Sequence, residues 1–302
     1  MQAQAQALRK AMEGWGTDED ALIKVVANVT NNQRQQIKST YKTMYGRDLI
    51  DDIKSECHGK FEDALVDLFK DPLTYDCEAL HDALKGAGTN EDTLIEIIIS
   101  RPTPVLAQIK QKYKQLYGDD LEKKVASDTS GTLKHILVSI LQCKRSTNAY
   151  PNTAQCQAQA KAIYDAGEAK MGTDESVFNQ ILCNASPAEI LEISKAYYSL
   201  TGHSILEAID KEFSGDSKKA FRTIVYATLS PSEYFATRVQ DAIKGWGTKD
   251  RLLMRILITR DEIDMPQIKA YFKKLYGKDM VEAVKSELSG DYKKLMVELC
   301  SH

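Results

Sequence analysis

Glu56, Asp128, Glu212 and Glu287 each lie forty residues beyond a glycine, namely Gly16, Gly88, Gly172 and Gly247. Each of these glycines closes a short turn. The four turns are Met12-Glu13-Gly14-Trp15-Gly16-Thr17, Leu84-Lys85-Gly86-Ala87-Gly88-Thr89, Gly167-Glu168-Ala169-Lys170-Met171-Gly172-Thr173 and Ile243-Lys244-Gly245-Trp246-Gly247-Thr248. A turn rich in glycine presents successive backbone carbonyls with no side chain in the way. Converging carbonyls and one bidentate carboxylate suit Ca²⁺, which takes roughly six to eight oxygens in flexible geometry, better than Mg²⁺, which needs a tight octahedron. Three carbonyls and one such acid supply about five oxygens, so one or two positions stay open for water or a ligand oxygen. With a single carboxylate the intrinsic affinity is weak, and a ligand filling the open positions should strengthen it.

Other readings of the turn compete. A single Gly-x-Gly-Thr is ordinarily a helix–helix turn with a capping residue. Four copies with a fixed partner acid make an internal repeat, which has to be recognised before any local assignment. A phosphate cradle would need Gly-Lys-Ser/Thr, and none of the turns continues that way. No acids show EF-hand spacing. Cys57-His58 suggests a thiol nucleophile, but sequence neighbours rarely form a dyad.

The elements that carry these residues read as helices throughout. The chain has 302 residues, 43% of them hydrophobic, enough for a sizeable core. Turn-to-turn offsets are 72, 84 and 75 residues. In the first unit a short helix over 2–13 precedes the turn, and Thr17 is expected to cap the next, with Asp18, Glu19 and Asp20 in its first turn. Leu22, Ile23, Val25, Val26 and Val29 follow at helical spacing. A third helix ends at Gly46, a fourth starts at Asp48 and ends near Glu56, and Gly59 opens a fifth. Pro72 and Pro231 suit the first turns of the helices that open units two and four. The units are 1–71, 72–143, 154–229 and 230–302, with a polar linker at 144–153. No β-alternation of any length appears, so the fold class is all-α, four homologous five-helix units.

Composition narrows the function. Lys plus Arg number 40 and Asp plus Glu 43, a net charge of −3. No basic excess marks a nucleic-acid binder, and unaided binding to anionic lipid uses clustered Lys and Arg. No apolar run approaches the ~20 residues of a membrane span. The N-terminus has neither the basic nor the apolar region of a signal peptide. Cys57, Cys77, Cys143, Cys156, Cys183 and Cys300 lack C-x-x-C spacing and read as reduced, mostly buried thiols. The expected location is cytoplasmic, peripheral on membranes when Ca²⁺ is raised; an extracellular pool would need unconventional export.

The Lys-Gly-x-Gly-Thr turn, the acid forty residues on, and four five-helix units of ~70 residues over the whole chain resemble the annexins. The resemblance implies a curved disc of four repeats that binds anionic phospholipid through several Ca²⁺ ions on its convex face, in membrane organisation or trafficking, without enzymatic activity. Position by position, it implies ligands at Met12, Gly14, Gly16 and Glu56; at Leu84, Gly86, Gly88 and Asp128; at Gly167, Lys170, Gly172 and Glu212; and at Ile243, Gly245, Gly247 and Glu287. Weaker accessory sites fall at Thr17 and Glu19. Asp76, Glu96, Arg101 and Arg255 match charges lining the family's central channel; the plainer reading is buried ion pairs. Only about ten residues precede the first turn, so the long regulatory tail of many annexins is not expected. Trp15, Ala87, Met171 and Trp246 sit at the turn tips, where an amphipathic ring would suit a bilayer's headgroup level. Self-association on the membrane and a cytoskeletal or glycan partner remain as alternatives, the latter with Ca²⁺ in a structural role.

Overall fold

The computed structural model describes residues 1–86, 88–245 and 247–302. Among them every element of regular structure is helical. The first repeat carries α1 (Gln2–Ala11), α2 (Glu19–Ala27), α3 (Asn31–Tyr45), α4 (Leu49–Glu56) and α5 (Gly59–Leu68). The second carries α6 (Pro72–Ala83), α7 (Glu91–Ser100), α8 (Thr103–Tyr117), α9 (Leu121–Asp128) and α10 (Gly131–Leu141). The third carries α11 (Thr153–Ala166), α12 (Glu175–Leu182), α13 (Pro187–Thr201), α14 (Ile205–Glu212) and α15 (Gly215–Leu229). The fourth carries α16 (Pro231–Ile243), α17 (Asp250–Arg260), α18 (Met265–Tyr276), α19 (Met280–Glu287) and α20 (Gly290–Ser301).

The chain divides into two compact units. One comprises 1–75 with 235–302; the other is 76–234. In the first, α20 packs on α2, α5, α17 and α19, and α1 on α2 and α3. Leu8, Leu22, Ile37, Leu65, Leu253 and Leu299 are buried there. In the second, α15 packs on α7, α10, α13 and α14, and α11 on α12 and α13. Ile97, Ile136, Ile163, Ile193 and Phe221 are buried in it. Each such side chain contributes roughly 1.5–3 kcal/mol by leaving water. All six cysteines are free thiols, and all but Cys143 are buried.

Two local expectations change. The helix after the first turn is capped by Asp18, not Thr17: the Asp18 carboxylate accepts from the Ala21 N–H at 2.9 Å. Asn90 and Asp174 cap the corresponding helices in the same way. Thr17 stands one residue too early, and its hydroxyl is used elsewhere, as described below. The first helix ends at Ala11 rather than Glu13, because the turn begins as soon as the backbone must leave the helical path toward Gly14. The ends of the third helices follow expectation: Gly46 takes the left-handed conformation at φ +67°, and Gly118, Gly202 and Gly277 repeat it.

Candidate metal centre

Each glycine turn is closed by one backbone hydrogen bond. The Asp18 N–H donates to the Ala11 carbonyl at 2.8 Å, Asn90 to Ala83 at 2.9 Å, Asp174 to Ala166 at 2.7 Å and Lys249 to Ala242 at 2.8 Å. The third turn spans one residue more between these anchors than the others do. Gly86 and Gly88 sit at φ +99° and +115°, where an L side chain would be strained. No atom lies within 4 Å of where a Cβ would sit at either glycine.

The threonine after each turn ties it to the recurring acid. The Thr17 hydroxyl donates to the Glu56 carbonyl at 3.2 Å, Thr89 to the Asp128 carbonyl at 3.0 Å, and Thr248 to the Glu287 carbonyl at 3.4 Å. In the third repeat the Thr173 hydroxyl donates instead to the Glu212 carboxylate, to Oε2 at 2.5 Å. The helix ending in the acid is therefore fastened beside the turn in all four repeats. The sequence gives the forty-residue spacing but no hint of this bond, since threonine there looks like a helix cap.

The surroundings of the four acids differ. Glu56 is approached by the Ser55 hydroxyl at 3.5 Å. Asp128 accepts from the Ser127 hydroxyl at 2.9 Å and pairs with the Lys124 ammonium at 3.1 Å. Burial raises the Asp128 pKa, but the Ser127 hydrogen bond and Lys124 outweigh it and hold the carboxyl below the usual aspartate value. Glu212 packs against Gly167: a Cβ added there would lie 3.1 Å from the Glu212 Cγ. The Gly167 carbonyl also accepts from the Lys170 N–H at 3.1 Å.

Two turns open onto clefts that gather the residues the spacing singled out. A cleft of about 480 Å³ is lined by Leu84, Gly86, Gly88 and Asp128, with Thr89 and Lys124 at its wall. Another of about 480 Å³ is lined by Ile243, Gly245 and Glu287. A third, of about 510 Å³, is lined by Glu19, Glu56, Thr248 and Glu287, so the acids of the first and fourth repeats share a cleft. Among the described residues no three His, Cys, Asp or Glu side chains converge as metal ligands. A cation at these turns would meet backbone carbonyls and one acid. Hard oxygen donors of that kind suit Ca²⁺. Met12, Gly14 and Gly16 lie in the first turn and Gly167, Lys170 and Gly172 in the third; of these, Gly167 lies against its acid, Glu212.

Trp15 and Met171 are fully exposed, at 107% and 101% of their reference areas. Ala87 and Trp246, the matching tips, lie outside the described residues. The charged residues expected along a channel are buried: Asp76, Glu96 and Arg255 are 4%, 0% and 5% exposed. Arg101 grips Asp76 with two hydrogen bonds, of 2.7 and 2.8 Å.

Sequence reasoning missed Glu168. It lies in the third turn, where it accepts from the Tyr197 hydroxyl at 2.6 Å, meets His203 Nε2 at 2.7 Å and pairs with Lys211 at 3.1 Å. Burial raises its pKa, but these three partners outweigh it and hold the carboxyl below the usual glutamate value. Burial, with the Glu168 charge beside it, pushes the Tyr197 hydroxyl well above its ordinary value. The extra residue of the longer turn was the available signal: added loop length needs an anchor.

The family model described as Annexin matches the chain four times, at residues 3–68, 75–140, 158–224 and 234–299. Among curated proteins, annexin A4 of Homo sapiens is 43% identical over 296 residues, which cover 98% of this chain and 93% of that protein. Annexin A7 of Homo sapiens is 42% identical over 295 residues, and the match covers 98% of this chain but 60% of the relative's length. Among solved structures, annexin III superimposes with a TM-score of 0.95 at 35% identity, covering 100% of this chain and 94% of that one. A structure described as calcium-bound annexin (Sm)1 superimposes with a TM-score of 0.87 at 31% identity, covering 100% and 90%.

Proposed function

Since this chain belongs to the annexin family, we propose that it binds anionic phospholipid surfaces in a Ca²⁺-dependent way through its glycine turns. Ca²⁺-dependent phospholipid binding is the property for which the family is known, and one similar structure is described as calcium-bound. The observation that carries the reading for this chain is the fastening of an acid beside a bare turn in every repeat, by a threonine hydroxyl over 39 residues of sequence.

In each site the turn carbonyls and the acid would hold the ion. When bound, Ca²⁺ supplies a positive charge with open coordination positions that lipid phosphate oxygens can fill. The protein residues do the positioning. Gly14, Gly16 and their counterparts keep the carbonyls uncovered, the threonine sets the acid's distance, and the acid anchors the ion. Glu19 stands near the first site as a weaker accessory ligand, with the Thr17 carbonyl. Trp15 and Met171 project where they would enter the headgroup layer. Four bound ions would take the net charge from −3 to roughly +5, reversing its sign toward an anionic surface. The role is that of a binding protein in membrane organisation or trafficking, not of an enzyme.

Cosedimentation with phosphatidylserine-containing vesicles tests this. The protein should pellet with Ca²⁺ and remain in solution with excess chelator. Equal pelleting in both conditions, or none in either, would overturn the reading.

A further inference from the structure

Among the described residues, the second turn differs from the others in having a cation paired to its recurring acid. Lys124 lies one helical turn before Asp128 on α9, and its ammonium is 3.1 Å from Oδ2 and 3.4 Å from Oδ1 of that acid. The same lysine and Asp128 both line the cleft with Gly86, Gly88 and Thr89. The residues four before the other three acids are Asp52, Ala208 and Ala283. Asp52 is an acid, engaged by Arg47 at 2.6 Å, the Tyr41 hydroxyl at 2.6 Å and Arg9 at 3.7 Å, and an alanine carries no charge. The second repeat is also the one whose acid is an aspartate, with a shorter reach than glutamate.

We propose that Lys124 is a tethered counter-ion of the second turn: its ammonium holds the cation position beside Asp128, and a divalent ion binds there by displacing it. This rests on the reading of Asp128 as the acid of the second site. Displacement costs the pairing that Lys124 gains when the ion is absent. The second site therefore fills last as Ca²⁺ rises, and its filling releases a lysine ammonium at the edge of the loop. The consequence is a graded response among four turns that share one motif.

The test isolates the second turn. In the full chain, Glu56→Gln, Glu212→Gln and Glu287→Gln together leave Asp128 as the one turn acid, and CaCl₂ binding is followed by calorimetry, with circular dichroism to verify the helical fold. Adding Lys124→Gln should tighten the remaining site roughly two- to fivefold, the range that an exposed ion pair is worth. Lys124→Arg keeps the tethered charge and should leave the affinity close to that of the parent. An unchanged or weakened affinity in Lys124→Gln, beside a parent whose binding is abolished by Asp128→Asn, would overturn the counter-ion while leaving the site in place. Binding that survives Asp128→Asn would remove the acid's role and the proposal with it.

Discussion

The second and third turns share a motif and a partner acid, yet they hold that acid in opposite ways. In the second, the threonine bonds the backbone behind Asp128, and the carboxylate is left to an ammonium from its own helix. In the third, the threonine bonds the carboxylate itself and Gly167 packs against it, while Glu168 anchors the loop to Tyr197, His203 and Lys211. The second turn is open and charge-blocked; the third is clamped and already carries its acid against the loop. On the proposed reading the shared motif sets where a cation would bind, while the residues around it set what must move first.

Substitutions at the two turns should separate these modes. The largest effect is expected at Glu168, because Glu168→Ala would leave the buried Tyr197 hydroxyl without its acceptor. An unsatisfied buried hydroxyl costs about 1–3 kcal/mol. Thermal unfolding should show that loss, and Tyr197→Phe in the same background should recover part of it. A Glu168→Ala protein as stable as the parent would mean the clamp is idle.

Thr89→Val should cost less, about 0.5–1.5 kcal/mol for one neutral hydrogen bond. It should also weaken Ca²⁺ binding at the second turn, since the hydroxyl fixes where Asp128 stands. Denaturant unfolding and calorimetry read the two effects separately. Lost stability with unaltered Ca²⁺ binding would make the threonine a fold residue alone.

The smallest effect concerns protons. The Asp128 carboxyl is held below its usual value, so its contribution to stability is complete above the ordinary aspartate range and is lost as pH falls through the depressed value. Lys124→Gln should move the Asp128 titration upward in an NMR pH series and leave Glu168 where it is. An Asp128 titration indifferent to Lys124 would break the contrast between the turns.

The all-α class, the four repeats and the C-terminal glycines of the third helices were legible because helical periodicity and glycine placement are local and recur. Thr17 was misread as a helix cap because threonine before Asp-Glu has that meaning locally, while its real partner is thirty-nine residues away. Glu168 and Lys124 escaped notice for a related reason. Their significance lies in which carboxylate or hydroxyl they meet, and a spacing rule applied equally to four repeats hides what belongs to one.

The four acids are proposed to make membrane binding depend on Ca²⁺. The direct measurement is the Ca²⁺ concentration for half-maximal cosedimentation with anionic vesicles, comparing the parent with the combined Glu56→Gln, Asp128→Asn, Glu212→Gln and Glu287→Gln protein. The fourfold variant should keep its helical fold and fail to pellet at Ca²⁺ levels that saturate the parent. A variant that pellets at the parent's Ca²⁺ concentration would contradict this.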